Sequence, residues 1–341
     1  MLKILFTTEN GPTKQTYFPA GTLEALERLG RVTYNPNPDR SLSEEQLCEA
    51  IQDIDVCLTH WGCAQFSREV LAHANRLKLI AHAAGSVADL VTPEVYARGI
   101  KVCSANAVMA KYVAESVLAY ILAGLKWLPQ QAEDVKVRNL WQTTRPVSSL
   151  YGLRIGLVGL GTIGRFLLDL LEPFQVQVKV YDPYITGAAI AQYPNVELAS
   201  LQEVLAWGKI ISIHASLTPE TRGLLNAERL KLIQDGALLV NTARGPILDE
   251  PALIAELQSG RINAVLDVYT TEPLPLDSEL RILENAILFP HSAGLSDRGV
   301  EMTLAILGEI ERFAKGEPLQ HEIPLKQFNL MTREREFKIY Q

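Results

Sequence analysis

Residues 154–171 read RIGLVGLGTIGRFLLDLL. An apolar run ends in Gly159-x-Gly161-x-x-Gly164, and a helical pattern follows. Strand, glycine turn and helix in that order form the setting that a dinucleotide fingerprint requires. The first glycine permits the tight turn, the second lets the backbone approach a pyrophosphate, and the third lets helix and strand pack closely. The helix N-terminus offers N–H groups and a partial positive charge to the phosphates. Asp182 closes the next apolar run, VQVKVYD. Its carboxylate is suited to accept hydrogen bonds from the adenosine ribose hydroxyls and would repel a 2′-phosphate. No arginine follows in YDPYITG, so the expected cofactor is NAD rather than NADP.

Outward from this stretch, short apolar runs alternate with helical patterns almost throughout. LRIGLVG, VQVKVYD, KIISIH, ALLVNT, NAVLDV and AILFP form one series; LKILFTT, DVCLTH, LKLIAHAA and IKVC form another before it. Such alternation predicts βαβ units and parallel sheets, hence an α/β protein with two doubly wound domains. TLEALERLG predicts an amphipathic helix closed by Gly30 as C-cap, and Ser41 with Glu44 predicts a capping box. Helical stretches over about Val108–Leu128 and Leu295–Lys315 join the two series and return after the last strand. The charged tail TREREFKIYQ reads as a solvated terminal segment.

The 341 residues are 48% hydrophobic and 21% charged, an ordinary globular balance that suggests two domains. The formal net charge of −7 argues against broad nucleic-acid binding. The four cysteines, Cys48, Cys57, Cys63 and Cys103, form no CxxC pair and no zinc-spaced group with histidines. We therefore expect no metal and reduced thiols in a cytoplasmic protein. The N-terminus MLKILFTTEN lacks the apolar core of a signal peptide. The most apolar stretch, Ala114–Leu128, carries Glu115 and Lys126, so no membrane span is expected.

Three later strand ends turn from apolar to polar where a parallel sheet presents its ligand crevice. They are NTARG with Arg244, VLDVYTTEPLP with Asp267 and Glu272, and FPHSAG with His291. A guanidinium at the end of a buried strand is costly unless it meets an anion. A cation, a carboxylate and a histidine would then converge beside the nicotinamide end of the cofactor.

From about Lys101 to Gly316 the chain resembles the D-isomer-specific 2-hydroxyacid dehydrogenase family. The matching pieces are VAESVLAYIL, LVGLGTIGR, YDP, LTPETRGLLN, LLVNTARGPILDE, AVLDVYTTEPLP and FPHSAG, in the family's order and spacing. The resemblance implies a flavodoxin-like split substrate domain plus a Rossmann NAD domain, with the active site in the interdomain cleft. The corresponding boundaries are 1–102 and 293–341 for the substrate domain and 103–292 for the NAD domain. It implies that Arg244 binds the substrate carboxylate, Glu272 pairs with the histidine, and His291 is the acid/base. It further implies that Asp267 holds the nicotinamide carboxamide and that Thr162-Ile163 and Thr242-Ala243 contact the cofactor. Physical chemistry suits these roles: histidine titrates near neutrality, a neighbouring carboxylate raises its pKa, and arginine grips a carboxylate bidentately. A homodimer is also implied, with the contact over residues 127–152, which carry Trp127, Trp141 and Tyr151.

The sequence departs from the family in places. AHAAGSVADL, residues 81–90, stands where the family has a glycine-rich loop whose amides contact the substrate carboxylate; Gly85, Ser86 and Val87 still offer such amides. Ser216 replaces a usual proline beside His214, which is expected to be structural or a cofactor contact, and Met109 stands where many relatives have asparagine. Trp61 either lines the substrate pocket or covers the core edge. His60, His73, His82 and His321 have no motif context and are expected to be structural or surface residues.

The leading expectation is an enzyme interconverting a small 2-oxo acid and a D-2-hydroxy acid with NAD. A phosphoglycerate- or hydroxypyruvate-type dehydrogenase is a variant, for which little chain follows residue 320 to form a further regulatory domain. Formate or phosphite oxidation is disfavoured because the N-terminal half shows no residues for it. An NAD(H)-sensing, corepressor-like binding protein on the same fold is the alternative from another class.

Overall fold

A computed structural model describes residues 1–141 and 145–332. The charged tail from residue 333 onward lies outside the described residues, as do positions 142–144 of the expected dimer segment. The chain divides into two compact units, 1–109 with 296 onward, and 110–295. Every pair of neighbouring strands is parallel.

The first unit holds β1 (Leu2–Phe6), β2 (Gly30–Tyr34), β3 (Val56–Thr59), β4 (Leu79–His82) and β5 (Lys101–Ser104), in the order β2-β1-β3-β4-β5. This is the flavodoxin-like order. The strands β3 and β4 are buried along their whole length, as expected of a sheet covered on both faces. The helix Val300–Lys315 buries Met302, Ile306, Leu307 and Ile310 in the same core as Ile4, Phe6, Leu58 and Leu79. That contact explains why the chain returns to this unit after the second one. The expected boundary after residue 102 falls inside β5, and the units part between Met109 and Ala110.

The second unit holds β6 (Arg154–Val158), β7 (Gln177–Tyr181), β8 (Val196–Leu198), β9 (Ile210–Ile213), β10 (Leu238–Asn241), β11 (Asn263–Leu266) and β12 (Ala286–Leu288). Their order is β12-β11-β10-β9-β6-β7-β8, the Rossmann arrangement extended by one strand. The strand order reverses between β6 and β9, and β6 carries the glycine turn.

The structure corrects several local expectations. Gly30 does end the helix Ala20–Leu29, but in extended conformation, as the first residue of β2. It must be glycine because a side chain there would overlap the carbonyl of Leu2 on the neighbouring strand. The capping box belongs to Ser43 and Gln46, not to Ser41 and Glu44; Ser43 accepts from the Gln46 amide at 3.2 Å. The helix Asn106–Lys126 is, by length and composition alone, long and apolar enough to cross a membrane, despite its charges. It buries Val113, Val117, Tyr120, Ile121 and Leu125 within the protein, as a core helix does.

Candidate functional site

The glycine turn is built as its sequence requires. Gly159 has φ +93, and a Cβ there would stand 2.7 Å from the Ala215 nitrogen, so this position tolerates only glycine. A Cβ at Gly161 would meet nothing within 4 Å, which leaves open space in front of the helix Thr162–Leu171. Gly161 is the N-cap of that helix and supplies no side chain, so its first N–H groups face that space. At Gly164 a Cβ would crowd Leu160 at 3.1 Å, which ties this glycine to close packing of helix on turn. Asp182 is brought to the same turn: Oδ2 accepts from the Leu160 N–H at 2.8 Å and Oδ1 from the Tyr184 N–H at 2.9 Å.

The ends of β10, β11 and β12 are in register through Asn241↔Leu266 and Leu266↔Leu288, so the segments that follow leave the sheet at one edge. Thr242 is buried and its Oγ1 has no hydrogen-bond partner among the described residues. Asn241 folds the chain back: its Nδ2 donates to the Arg244 carbonyl at 3.0 Å and its Oδ1 accepts from the Ala243 N–H at 3.0 Å. Gly245 then lies flat against the backbone of Tyr269 and Thr270, where any side chain would overlap it. In this way the Arg244 turn and the Glu272 loop are pressed together.

His291 Nδ1 and Glu272 Oε2 are 2.7 Å apart, and Glu272 Oε1 accepts from the Tyr269 N–H at 3.0 Å. The hydrogen bond to Glu272 raises the His291 pKa above its ordinary value; partial burial and the Arg244 charge oppose it. Burial pushes the Glu272 pKa up, but the bonds from His291 and Tyr269 and the charges of His291 and Arg244 outweigh it and hold it low. Arg244 thus acts electrostatically on both members of the pair. The guanidinium Nη1 also donates to the Ala243 carbonyl at 2.6 Å. His291 adopts φ 53, left-handed and strained for a residue with a side chain.

Asp267 is fully buried beneath this pair. Its Oδ1 accepts from the Ser292 N–H at 2.9 Å and the Tyr120 hydroxyl at 3.3 Å, and its Oδ2 from the Ala293 N–H at 2.9 Å. Its carbonyl accepts from the His291 N–H at 2.9 Å. Tyr120 stacks on Phe289, with centroids 4.1 Å apart and planes within 9°. Sequence reasoning assigned no role to Asn241, Tyr120 or Tyr269. Asn241 was legible, since an amide after a buried strand is suited to close a turn; the partners of the two tyrosines are tertiary.

His214, beside the turn, is half-buried, and desolvation of its ring lowers its pKa to about 4, so it is neutral; its Nε2 meets Ser212 Oγ at 2.9 Å and its Nδ1 has no partner among the described residues. In the first unit, Gly85 and Val87 are buried and Ser86 is partly so. Among the described residues, the amide N–H groups of Gly85, Ser86 and Val87 donate to no acceptor. Trp61 is 41% exposed and packs edge-on against His60.

The chain is similar to known proteins in sequence and fold. Residues 118–293 match the NAD binding domain of the D-isomer specific 2-hydroxyacid dehydrogenases. A glyoxylate reductase of Thermofilum pendens is 34% identical over 282 residues, covering 81% of this chain and 82% of that protein. A D-3-phosphoglycerate dehydrogenase of Methanocaldococcus jannaschii is 32% identical over 86% of this chain, which spans 56% of its length. An acyclic imino acid reductase solved with NADPH and D-Arg is 25% identical, with a TM-score of 0.79 over 95% of this chain and 100% of that one. The doubly wound sheet of the second unit and its glycine turn define a Rossmann-type dinucleotide-binding unit. The chain belongs to the D-isomer specific 2-hydroxyacid dehydrogenase family. It spans about half the length of the curated phosphoglycerate dehydrogenases that it matches.

Proposed function

We propose that this protein interconverts a small 2-oxo acid and the corresponding D-2-hydroxy acid, with NAD(H) as its cofactor. The observation that carries this reading is the His291–Glu272 pair at 2.7 Å with Arg244 acting on both. The residues around the turn fit a dinucleotide: Gly161 leaves open space before a helix N-terminus, Asp182 presents a carboxylate, and the Thr242 hydroxyl has no partner among the described residues. Gly159, Gly161, Thr162, Ile163, Gly164, Asp182, Thr242, Ala243 and Asp267 would hold it. When bound, the nicotinamide supplies or accepts the hydride at C2 of the substrate.

The chain's own groups do the rest. His291, whose protonated form Glu272 favours, gives its proton to the substrate oxygen during reduction and takes it back during oxidation. Glu272 stabilises the imidazolium and orients the ring. Arg244 grips the carboxylate and so fixes the carbonyl for attack. The amides of Gly85, Ser86 and Val87 are further donors for the substrate. Asp182 favours NAD over NADP, because its carboxylate would repel a 2′-phosphate.

The four cysteines are buried and form no disulfide among the described residues, which fits a reducing compartment, and we place the protein in the cytoplasm. We also propose a homodimer through the segment around the helix Leu128–Lys136. Val137, Leu140, Trp141 and Tyr151 are more than half exposed there. Sedimentation at micromolar concentration showing a monomer would remove the dimer.

The activity is tested by NADH oxidation at 340 nm with glyoxylate, pyruvate, hydroxypyruvate, branched and aromatic 2-oxo acids and 3-phosphohydroxypyruvate, with NADPH as the control. Turnover with a member of the set is the expected result. Tight NADH binding without turnover on any of them would overturn the enzyme reading in favour of a dinucleotide sensor.

A further inference from the structure

Tyr269 touches the segments that carry all three of Arg244, Glu272 and His291. It stands two residues beyond Asp267, inside the second unit, and is 6% exposed. Its backbone N–H donates to Glu272 Oε1 at 3.0 Å. Its backbone carbonyl lies against Gly245, directly after Arg244, where a side chain would overlap it. Its hydroxyl oxygen lies 2.8 Å from the Phe289 carbonyl and 3.1 Å from the Leu266 carbonyl, so its one proton is shared between the ends of β12 and β11.

The hydroxyl contact bears on His291. Pro290 separates Phe289 from His291 and has no N–H. The Phe289–Pro290 peptide therefore has a single polar atom, the Phe289 carbonyl. Among the described residues, Tyr269 supplies the hydrogen bond to it. The Leu266 carbonyl also takes the Phe289 N–H at 2.8 Å, so it keeps a partner without the hydroxyl. Tyr269 thus fixes the chain two residues before His291, and its N–H fixes the carboxylate that His291 meets. Burial raises the Tyr269 pKa to about 12, so the hydroxyl remains a donor at neutral pH.

We infer that Tyr269 is a positioning residue of this site: its hydroxyl, through the Phe289 carbonyl, holds His291 where Glu272 Oε2 meets its Nδ1. For its effect on rate this rests on the enzyme reading above. Its hold on the pair is a property of the chain alone and has a separate readout.

Tyr269→Phe removes one oxygen and keeps the ring, the backbone N–H and the contact with Gly245. The charges that face His291 are Glu272, Arg244 and Asp267, and the variant retains all three. The His291 imidazole of the full chain is followed by NMR as pH is varied, its signal identified by its absence in His291→Ala. In the wild type it should titrate above about 6.5, and in Tyr269→Phe its midpoint should move down toward that value. The alkaline limb of kcat/KM should move the same way. With whichever 2-oxo acid is turned over, kcat should fall about tenfold or more, because a small displacement of a reacting group suffices for that. NADH affinity should change by less than about threefold. Tyr193→Phe removes a hydroxyl bond to Asp169 elsewhere in the same unit and should move neither titration nor limb. An unmoved titration and limb in Tyr269→Phe, with or without a lowered Tm, would show a purely structural tyrosine and overturn the inference. Equal losses of kcat and NADH affinity would also overturn it. A wild type that turns over no 2-oxo acid would overturn the enzyme reading, and the titration would still decide whether Tyr269 sets the pair.

Discussion

Glu272 faces His291 Nδ1 with one carboxylate oxygen, at 2.7 Å, and the Tyr269 N–H with the other, at 3.0 Å. The backbone bond fixes the carboxylate, and the fixed carboxylate raises the imidazole pKa. Reduction needs the imidazolium, so activity should fall as pH rises through the raised His291 pKa. In Glu272→Gln the amide carries no charge, and the alkaline limb of the kcat/KM profile should move to lower pH. An unshifted limb would show that the pair does not control the catalytic proton. His291→Ala should lower turnover by roughly 10²-fold or more while NADH still binds.

The same pair ties stability to pH. His291, raised in the folded state, contributes stability that is complete below its unfolded pKa of about 6.5 and is lost as pH rises through the raised value. Glu272, held low, contributes stability present above about 4.3 and lost as pH falls through its folded value. Glu272→Gln should therefore lower Tm most between those limits. Both side chains are more than a third exposed or close to it, at 43% and 35%, so the drop should be small. A Tm difference that is constant from pH 3 to 9 would contradict this account.

Arg244 follows a turn that Asn241 closes and Gly245 presses against Tyr269. The planar fork of a guanidinium grips a carboxylate through two parallel bonds, which an ammonium cannot reproduce. Arg244→Lys should raise KM for the 2-oxo acid far more than it weakens NADH binding. Equal loss of both affinities would assign Arg244 to the cofactor or to folding.

The parts of this protein that sequence made legible are those whose chemistry is local. Glycine at 159 is demanded by a positive φ and a close neighbour, and it marks the turn in any reading of the chain. Strands β3, β4, β9 and β10 are buried throughout and stand out as apolar runs. Of the four edge strands, β5 and β12 were legible as the runs IKVC and AILFP, and β2 and β8 were not. In β2 exposed Arg31 and Thr33 alternate with buried or half-buried neighbours over GRVTY, and in β8 exposed Glu197 stands between half-buried Val196 and Leu198, so neither presents an apolar run. Ser41 and Ser43 both stand three residues before a Glu or Gln, and packing of Leu47 and Cys48 selects the second. The 2.7 Å approach of His291 to Glu272 depends on loops from two strands, and only resemblance to a family suggested it.

Asp182 accepts from the Leu160 N–H at 2.8 Å, so its charge sits at the glycine turn itself. Wild-type kcat/KM should favour NADH over NADPH by about tenfold or more, the scale of one unfavourable charge contact. Asp182→Ala should narrow that gap, chiefly by weakening NADH. It should also cost stability of about 1 kcal/mol, because the Leu160 N–H loses its acceptor. A wild-type preference for NADPH would show that Asp182 does not face the ribose.

Asp267 is the residue on which the His291 backbone rests. It is fully buried, takes N–H bonds from Ser292 and Ala293 at 2.9 Å each, and receives the His291 N–H on its carbonyl, also at 2.9 Å. These bonds hold His291 at φ 53, a conformation that the chain would otherwise leave. Asp267→Asn keeps the size but turns an NH₂ group toward a backbone N–H, so one buried donor faces another. The expected cost is about 1–3 kcal/mol, and kcat should fall as His291 relaxes toward negative φ. Tyr120→Phe removes only the 3.3 Å hydroxyl contact and leaves the stacking on Phe289, so it should cost about 1 kcal/mol or less. If Asp267→Asn matched Tyr120→Phe in both Tm and kcat, the two backbone bonds would not be what positions the histidine.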